Sequence, residues 1–347
     1  MRPSKETSCV IATLPSSAAL DLSELANNYL RAHRVEPGVY MTNIFTLFPG
    51  QGSQKVGMGK ELADIYPLAK EIFALADQAL GFELSQICFE GPADKLTLTE
   101  IAQPAILTVS TICYRLWKES GASATQQIVA AAGHSLGEYS ALVAAEAISF
   151  EDAVRLVNKR GKYMQEAVPV GTGKMVAVLG KEVSEIEAAL PAAGGEIAQI
   201  ANINAPGQIV VAGSVAGVQQ FVERLGTAKV IELTVSAPFH CDLMKPAEEK
   251  LRKDLANIEI KKPLFPVYQN FTAQASDDTR VIRENLALQV CGRVRWVECV
   301  ENAVSAHSPQ AVWEYGAGNV LTGLVKRINS SLTRVNIDSP TALSAAA

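Results

Sequence analysis

One serine, one histidine and one arginine in this chain stand in surroundings that give them chemistry. Gly133-His134-Ser135-Leu136-Gly137 has the spacing G-x-S-x-G. The apolar run 128–132 precedes it and the helical stretch EYSALVAAEA follows. A serine on such a strand-to-helix turn sits on a strained backbone that flanking glycines relieve. Its hydroxyl is presented at a helix N-terminus, where free N–H groups favour developing negative charge. That is the setting of a nucleophile for acyl chemistry. The plainer alternative is an N-capping serine in a Gly-rich turn.

A serine needs a base, and the chain has four histidines: His33, His134, His240 and His307. His134 adjoins the serine, and neighbours on a tight turn point apart. His33 lies in an amino-terminal stretch unlike the rest, and His307 lies in SAHSP, which reads as a surface loop. His240, in SAPFHCDLM, falls between a strand and a helix, where it can face the turn across a cleft. Elimination selects it over the alternative of a structural loop histidine. No acidic residue stands out as a third member, because the Asp and Glu between Ser135 and His240 read mostly as solvated helix faces. A main-chain carbonyl meets the same need, an acceptor for the other ring N–H.

Arg160 is misplaced for a surface residue. In the helical stretch FEDAVRLVNKRGKYMQEAV, at about 100° per residue, Ala153, Val154, Leu156, Val157, Met164 and Val168 share one arc, and Arg160 falls in its middle. A cation there is costly unless paired. A structural ion pair or snorkelling to the helix end is one solution. The other is an anion receptor, since a planar guanidinium matches a carboxylate with two parallel hydrogen bonds. On that reading the serine handles an acyl group carrying its own carboxylate. The loop FPGQGSQ lacks the ending of a phosphate-binding P-loop, and its exposed N–H groups suit an oxyanion hole.

Parallel α/β architecture is what such a turn requires. The runs NIFTLF and 128–132 read as buried strands, and a helix is expected from Pro104 to Gly121 between them. From residue 173 to 235 the order becomes β-α-β-β-α-β, that of a small split-βαβ unit inserted in the larger one. The expected organisation is an extension over residues 1–40, a discontinuous catalytic domain over 41–170 and 237–330, a ferredoxin-like subdomain over 171–236, and a fraying tail over 331–347. Strong patterning begins at Met41, a candidate start. With 347 residues and 48% of them hydrophobic, the chain can bury a large core, which excludes wholesale disorder. A net charge of −5 argues against a nucleic-acid-coating surface. The apolar runs are too short for a membrane span. Six scattered cysteines with no CxxC pair read as reduced thiols rather than a disulfide framework.

Together these segments resemble the malonyl-CoA:acyl carrier protein transacylases of fatty acid synthesis, over residues 43–328. The resemblance is carried by FPGQGSQKVGMG, QPAILTVS, GHSLGEYSALVAA, RLVNKRGKYMQEAVPVGTGKM, NINAPGQIVVAG, FHCDLMKPA and WEYGAGNVLTGLVKRI. It implies an α/β-hydrolase-like domain with an inserted ferredoxin-like subdomain. It further implies that Ser135 is acylated by malonyl-CoA with His240 as base, that the N–H groups of Gln51 and Leu136 form the oxyanion hole, and that Arg160 grips the malonyl carboxylate. Gln289 aligns with the residue whose main-chain carbonyl orients the histidine, and His134 and Asn204 line the substrate cleft. Two positions depart from the commonest pattern. Val290-Cys291-Gly292-Arg293-Val294 lacks a proline, which is expected to loosen that loop. Phe239 stands where serine is frequent, and its ring should disfavour a methyl branch beside the acyl α-carbon.

The expected partners are malonyl-CoA and an acyl carrier protein, with Lys159, Lys162 and Lys174 as candidates for a local basic patch. No metal or tightly held cofactor is required, no nucleic acid or membrane partner is implied, and a cytoplasmic monomer is expected. Alternatives are a stand-alone acyltransferase of polyketide synthesis, a serine acyl hydrolase of the same fold acting on carrier proteins, and a non-catalytic partner in a synthase complex. A hydrolase for neutral acyl chains would gain nothing from Arg160. A non-catalytic partner would have no reason to hold Ser135, His240 and Arg160 together.

Overall fold

The computed structural model describes residues 41–192 and 194–346; the extension expected over 1–40, with His33, lies outside them. β1 (Thr42–Phe48) leads to α1 (Lys60–Ile65), α2 (Pro67–Leu80), α3 (Leu84–Glu90), α4 (Ala93–Thr97) and the long α5 (Thr99–Glu119). Then come β2 (Gln126–Gly133), α6 (Gly137–Ala144) and α7 (Phe150–Glu166). β3 (Gly173–Leu179), α8 (Val183–Ala189), β4 (Ala198–Ala205), β5 (Gln208–Ser214), α9 (Val215–Leu225) and β6 (Lys229–Glu232) follow. The chain continues through α10 (Lys245–Leu255), β7 (Val267–Tyr268), α11 (Thr279–Leu288), α12 (Trp296–His307), β8 (Ala311–Tyr315), α13 (Val320–Ile328), β9 (Thr333–Ile337) and α14 (Pro340–Ala345).

The strands form two sheets. One is parallel, in the order β7-β2-β1-β8-β9. Ile44, Phe45, Leu47 and Phe48 of β1 are all fully buried, as a strand covered on both faces demands. Phe48 pairs with Gly133, so the loop after β1 and the turn after β2 leave the sheet side by side. The other sheet is antiparallel, in the order β4-β5-β3-β6, which is the ferredoxin-like arrangement of a β-α-β-β-α-β chain. It has its own core of Val176, Val178, Ile186, Ile200, Val211, Val218 and Phe221.

Several expectations are corrected. The helix expected from Pro104 begins at Thr99, with the proline inside it. Proline there leaves the Glu100 carbonyl without its helical donor. Asn158 Nδ2 supplies one from α7 at 2.7 Å. The tail expected to fray contains β9, paired in parallel with β8, and α14, capped by Ser339 Oγ. Ile337 and Leu343 are buried there, so this short stretch ties itself down. His307 ends α12 rather than lying in a loop, and Val168 lies beyond the end of α7. Strand β6 stops at Glu232, so 233–235 are free to line the cleft. Among the described residues, Cys88, Cys113, Cys241, Cys291 and Cys299 are free.

Candidate active site

Gly133 and Gly137 make the turn possible by close approach. A Cβ on Gly133 would lie 1.9 Å from the Gly137 carbonyl carbon, and one on Gly137 would lie 2.0 Å from the Phe48 oxygen. Between them Ser135 takes a left-handed backbone, φ 52°. Such strain persists only where the surroundings impose it. Here Asn270 does so from the loop after β7. Its Oδ1 accepts from the Ser135 main-chain N–H at 2.6 Å, and its Nδ2 donates to the Gly133 carbonyl at 2.8 Å.

Ser135 Oγ lies 2.8 Å from His240 Nε2. His240 Nδ1 faces two main-chain carbonyls, Gln289 at 2.8 Å and Gly292 at 3.1 Å. Two acceptors require the proton on Nδ1, which leaves Nε2 as the lone-pair nitrogen toward the serine. The loop expected to be loose is pinned instead. Gly292 N–H donates to the Leu288 carbonyl, Val294 N–H to Ala201, and Ile203 N–H to Val294. No carboxylate is needed as the third member.

Arg160 is 1% exposed. Its Nη1 donates to Gln103 Oε1 at 2.8 Å, and its Nη2 to Gln289 Oε1 at 3.0 Å and Ser135 Oγ at 3.1 Å. All three partners are neutral, and among the described residues no ion pair involves it. The guanidinium also packs toward the Tyr139 ring, 5.6 Å from its centroid. Burial, and then the positive charge of Arg160, hold the His240 imidazole down at about 3, so it is neutral and ready to accept a proton at ordinary pH.

A cavity of about 250 Å³ opens onto these groups, lined by Gln51, Leu136, Met164, Asn204, Phe239 and Leu233 among others. Among the described residues nothing accepts a hydrogen bond from the main-chain N–H of Gln51 or Leu136. His134 Nε2 meets Asn204 Oδ1 at 2.8 Å, a contact from the turn after β2 to β4 of the other sheet. Ser135, His240, Arg160, Gln51, Leu136, His134 and Asn204 are thus brought to one cleft, and Gln289 lies fully buried behind it, against Arg160 and His240. The proposed basic patch is weaker: Lys159 pairs with Asp254 at 2.7 Å and Lys174 with Glu232 at 2.8 Å.

The acyl transferase domain family matches residues 45–335. The malonyl CoA-acyl carrier protein transacylase of Salmonella typhimurium is 45% identical over 314 residues, 88% of this chain and 99% of the relative. That of Bacillus subtilis is 45% identical over 305 residues, 86% of this chain and 95% of the relative. This chain belongs to the malonyl CoA-acyl carrier protein transacylase family. Among solved structures of the family, the acyl carrier protein S-malonyltransferase of Vibrio cholerae superposes with TM-score 0.83 at 41% identity, covering 88% of this chain and 100% of that one. A malonyl-transacylase in complex with a type II PKS acyl-carrier protein gives TM-score 0.84 at 40% identity, covering 88% and 99%.

Sequence reasoning missed several residues of this transacylase cleft. Gln103 and the Gln289 side chain hold Arg160, Asn270 holds the turn, and the Gly292 carbonyl shares His240. Glu138 was not singled out among the acids after Ser135, yet it is fully buried. The one available signal was the polar pair Gln269-Asn270 directly after an apolar run.

Proposed function

We propose that this chain transfers the malonyl group from malonyl-CoA to the phosphopantetheine thiol of an acyl carrier protein through a malonyl ester on Ser135. The observation that carries the reading is the buried Arg160 guanidinium, 3.1 Å from the Ser135 hydroxyl and held only by neutral acceptors. A fixed cation in that position favours an acyl group with a free carboxylate. The relatives named above as malonyl transacylases support the same substrate.

His240 Nε2 takes the proton of Ser135 Oγ as the oxygen attacks the thioester carbonyl. The oxyanion is received by the N–H groups of Gln51 and Leu136. The C–S bond breaks, and the departing thiolate takes the proton from His240. In the second half the carrier thiol gives its proton to His240 and attacks the ester carbon; the C–O bond breaks and Ser135 Oγ takes the proton back from His240. A cavity of about 250 Å³ encloses an acyl group rather than a whole coenzyme, because drug-sized ligands need roughly 300–1,000 Å³. The pantetheine arm therefore projects outward. We place the reaction in the cytoplasm, where malonyl-CoA and unpaired cysteines such as Cys241 and Cys299 belong.

The test is incubation with malonyl-CoA with and without carrier protein bearing its phosphopantetheine arm. Loaded carrier is expected, with little malonate released when carrier is omitted. Rapid malonate release and no loading would make the protein a hydrolase.

A further inference from the structure

Glu138 is fully buried and takes no part in the steps above. Its carboxylate accepts from Gln289 Nε2 at 2.7 Å, from the Asn270 main-chain N–H at 2.8 Å and from Gln269 Nε2 at 3.4 Å. Gln289 is the shared neighbour. Its Nε2 also donates to the Ser135 carbonyl at 3.0 Å, and its Oε1 accepts from Arg160 Nη2 at 3.0 Å. Turned over, the amide would set its oxygen against a carboxylate and a carbonyl, and its NH₂ against a guanidinium. Carboxylates and carbonyls only accept, and guanidinium only donates. An ionised Glu138 therefore admits one amide orientation.

We propose that Glu138 is a positioning residue that locks the Gln289 side chain and, through it, holds the Arg160 guanidinium where the acyl carboxylate is received. The proposal rests on the malonyl-transfer reading and deepens it by giving the origin of the selectivity. Asn270 extends the same anchorage, since its backbone binds Glu138 while its side chain holds the Ser135 turn.

E138Q keeps the shape of the side chain but allows the new amide to donate toward Gln289 Oε1. The full-length protein is assayed with malonyl-CoA and acetyl-CoA against the same carrier thiol. The malonyl-to-acetyl ratio of kcat/KM is expected to fall roughly tenfold in E138Q, mostly through KM for malonyl-CoA. Q289L is expected to lose the same selectivity, and E138Q should add nothing in the double variant. An unchanged ratio in E138Q, or additive losses in the double variant, overturns the proposal. A wild-type ratio near one would instead defeat the malonyl reading itself.

Should E138Q fail to fold, the wild type answers through pH. Burial raises the Glu138 carboxyl to about 7. The groups facing it are Arg160 on α7, Cys299 on α12 and Tyr139 on α6, with the neutral Gln269, Asn270 and Gln289. Burial holds Cys299 and Tyr139 protonated and keeps His240 neutral, so Glu138 alone in this group changes charge near neutrality. The lock is complete above about 7 and weakens as pH falls through it, when the Ser135 carbonyl and Arg160 are left to hold the amide. The malonyl-to-acetyl ratio is expected to drop over that interval, and a flat ratio overturns the proposal.

Discussion

Ser135 Oγ lies between two nitrogens with opposite demands: in the proposed mechanism His240 Nε2 takes its proton, and Arg160 Nη2 donates to it. The same cation lowers the basicity of His240, second only to burial. An arriving carboxylate cancels part of that field, so the base strengthens when the matching acyl group is seated. Truncating one member of a buried, hydrogen-bonded charge pair costs about 2–5 kcal/mol. R160A is therefore expected to lower malonyl kcat/KM by roughly 30-fold to a few thousand-fold. Acetyl transfer should fall less, so that preference shifts toward acetyl in steady-state assays. Proportional losses would make Arg160 structural. His240 also makes a pH prediction. With a neutral activated ester as donor, Ser135 acylation should stay flat as pH falls and decline only near the depressed value of about 3. In R160A the acid limb of the rate profile should move to higher pH, because one cause of the depression is gone. Ser135 was legible in sequence from its glycine spacing between a strand and a helix, His240 because histidines are few, and Arg160 because it falls in an apolar arc. Glu138, Gln103 and Asn270 were not, since their roles depend on partners from distant segments.

Helices and strands place these groups, and their placement has its own requirements. Helix α5 runs through Pro104 because Asn158 of α7 satisfies the carbonyl that the proline leaves open. A sequence rule puts proline in the first turn, and only the crossing helix reveals why this one sits deeper. Asn158→Ala should destabilise the fold by about 1–3 kcal/mol, measured by denaturant unfolding, with little effect on KM. Helix α7 crosses α5 closely at Gly161, where a Cβ would lie 2.5 Å from the Thr99 carbonyl oxygen. The turn after β2 is tighter still. Gly133→Ala is expected to cost more than Asn158→Ala, because backbone rather than a mobile side chain blocks the new methyl group. Wild-type stability in Gly133→Ala would show that the turn relaxes freely. The strand–helix alternation around this turn was legible from apolar runs and periodicity. The short β7 and the length of β6 were not, since pairing rather than composition ends them.

At the scale of the molecule, the cleft lies where the parallel sheet meets the antiparallel one, and His134 with Asn204 spans that junction. The β-α-β-β-α-β order was legible because β3 and β5 are mostly apolar runs and helical stretches separate the strands. The carboxy-terminal segment was not. Its small and polar residues suggest fraying, yet β9 completes the parallel sheet and buries Ile337. Removing residues 331–347 should therefore lower the melting temperature clearly rather than leave it unchanged. The central claim concerns what the buried cation admits to the serine. Intact mass after a few seconds with equal malonyl-CoA and acetyl-CoA tests it most directly. Wild type is expected to carry malonyl mass almost alone, S135A neither group, and R160A little malonyl relative to acetyl. Equal malonyl and acetyl labelling of the wild-type serine would contradict it.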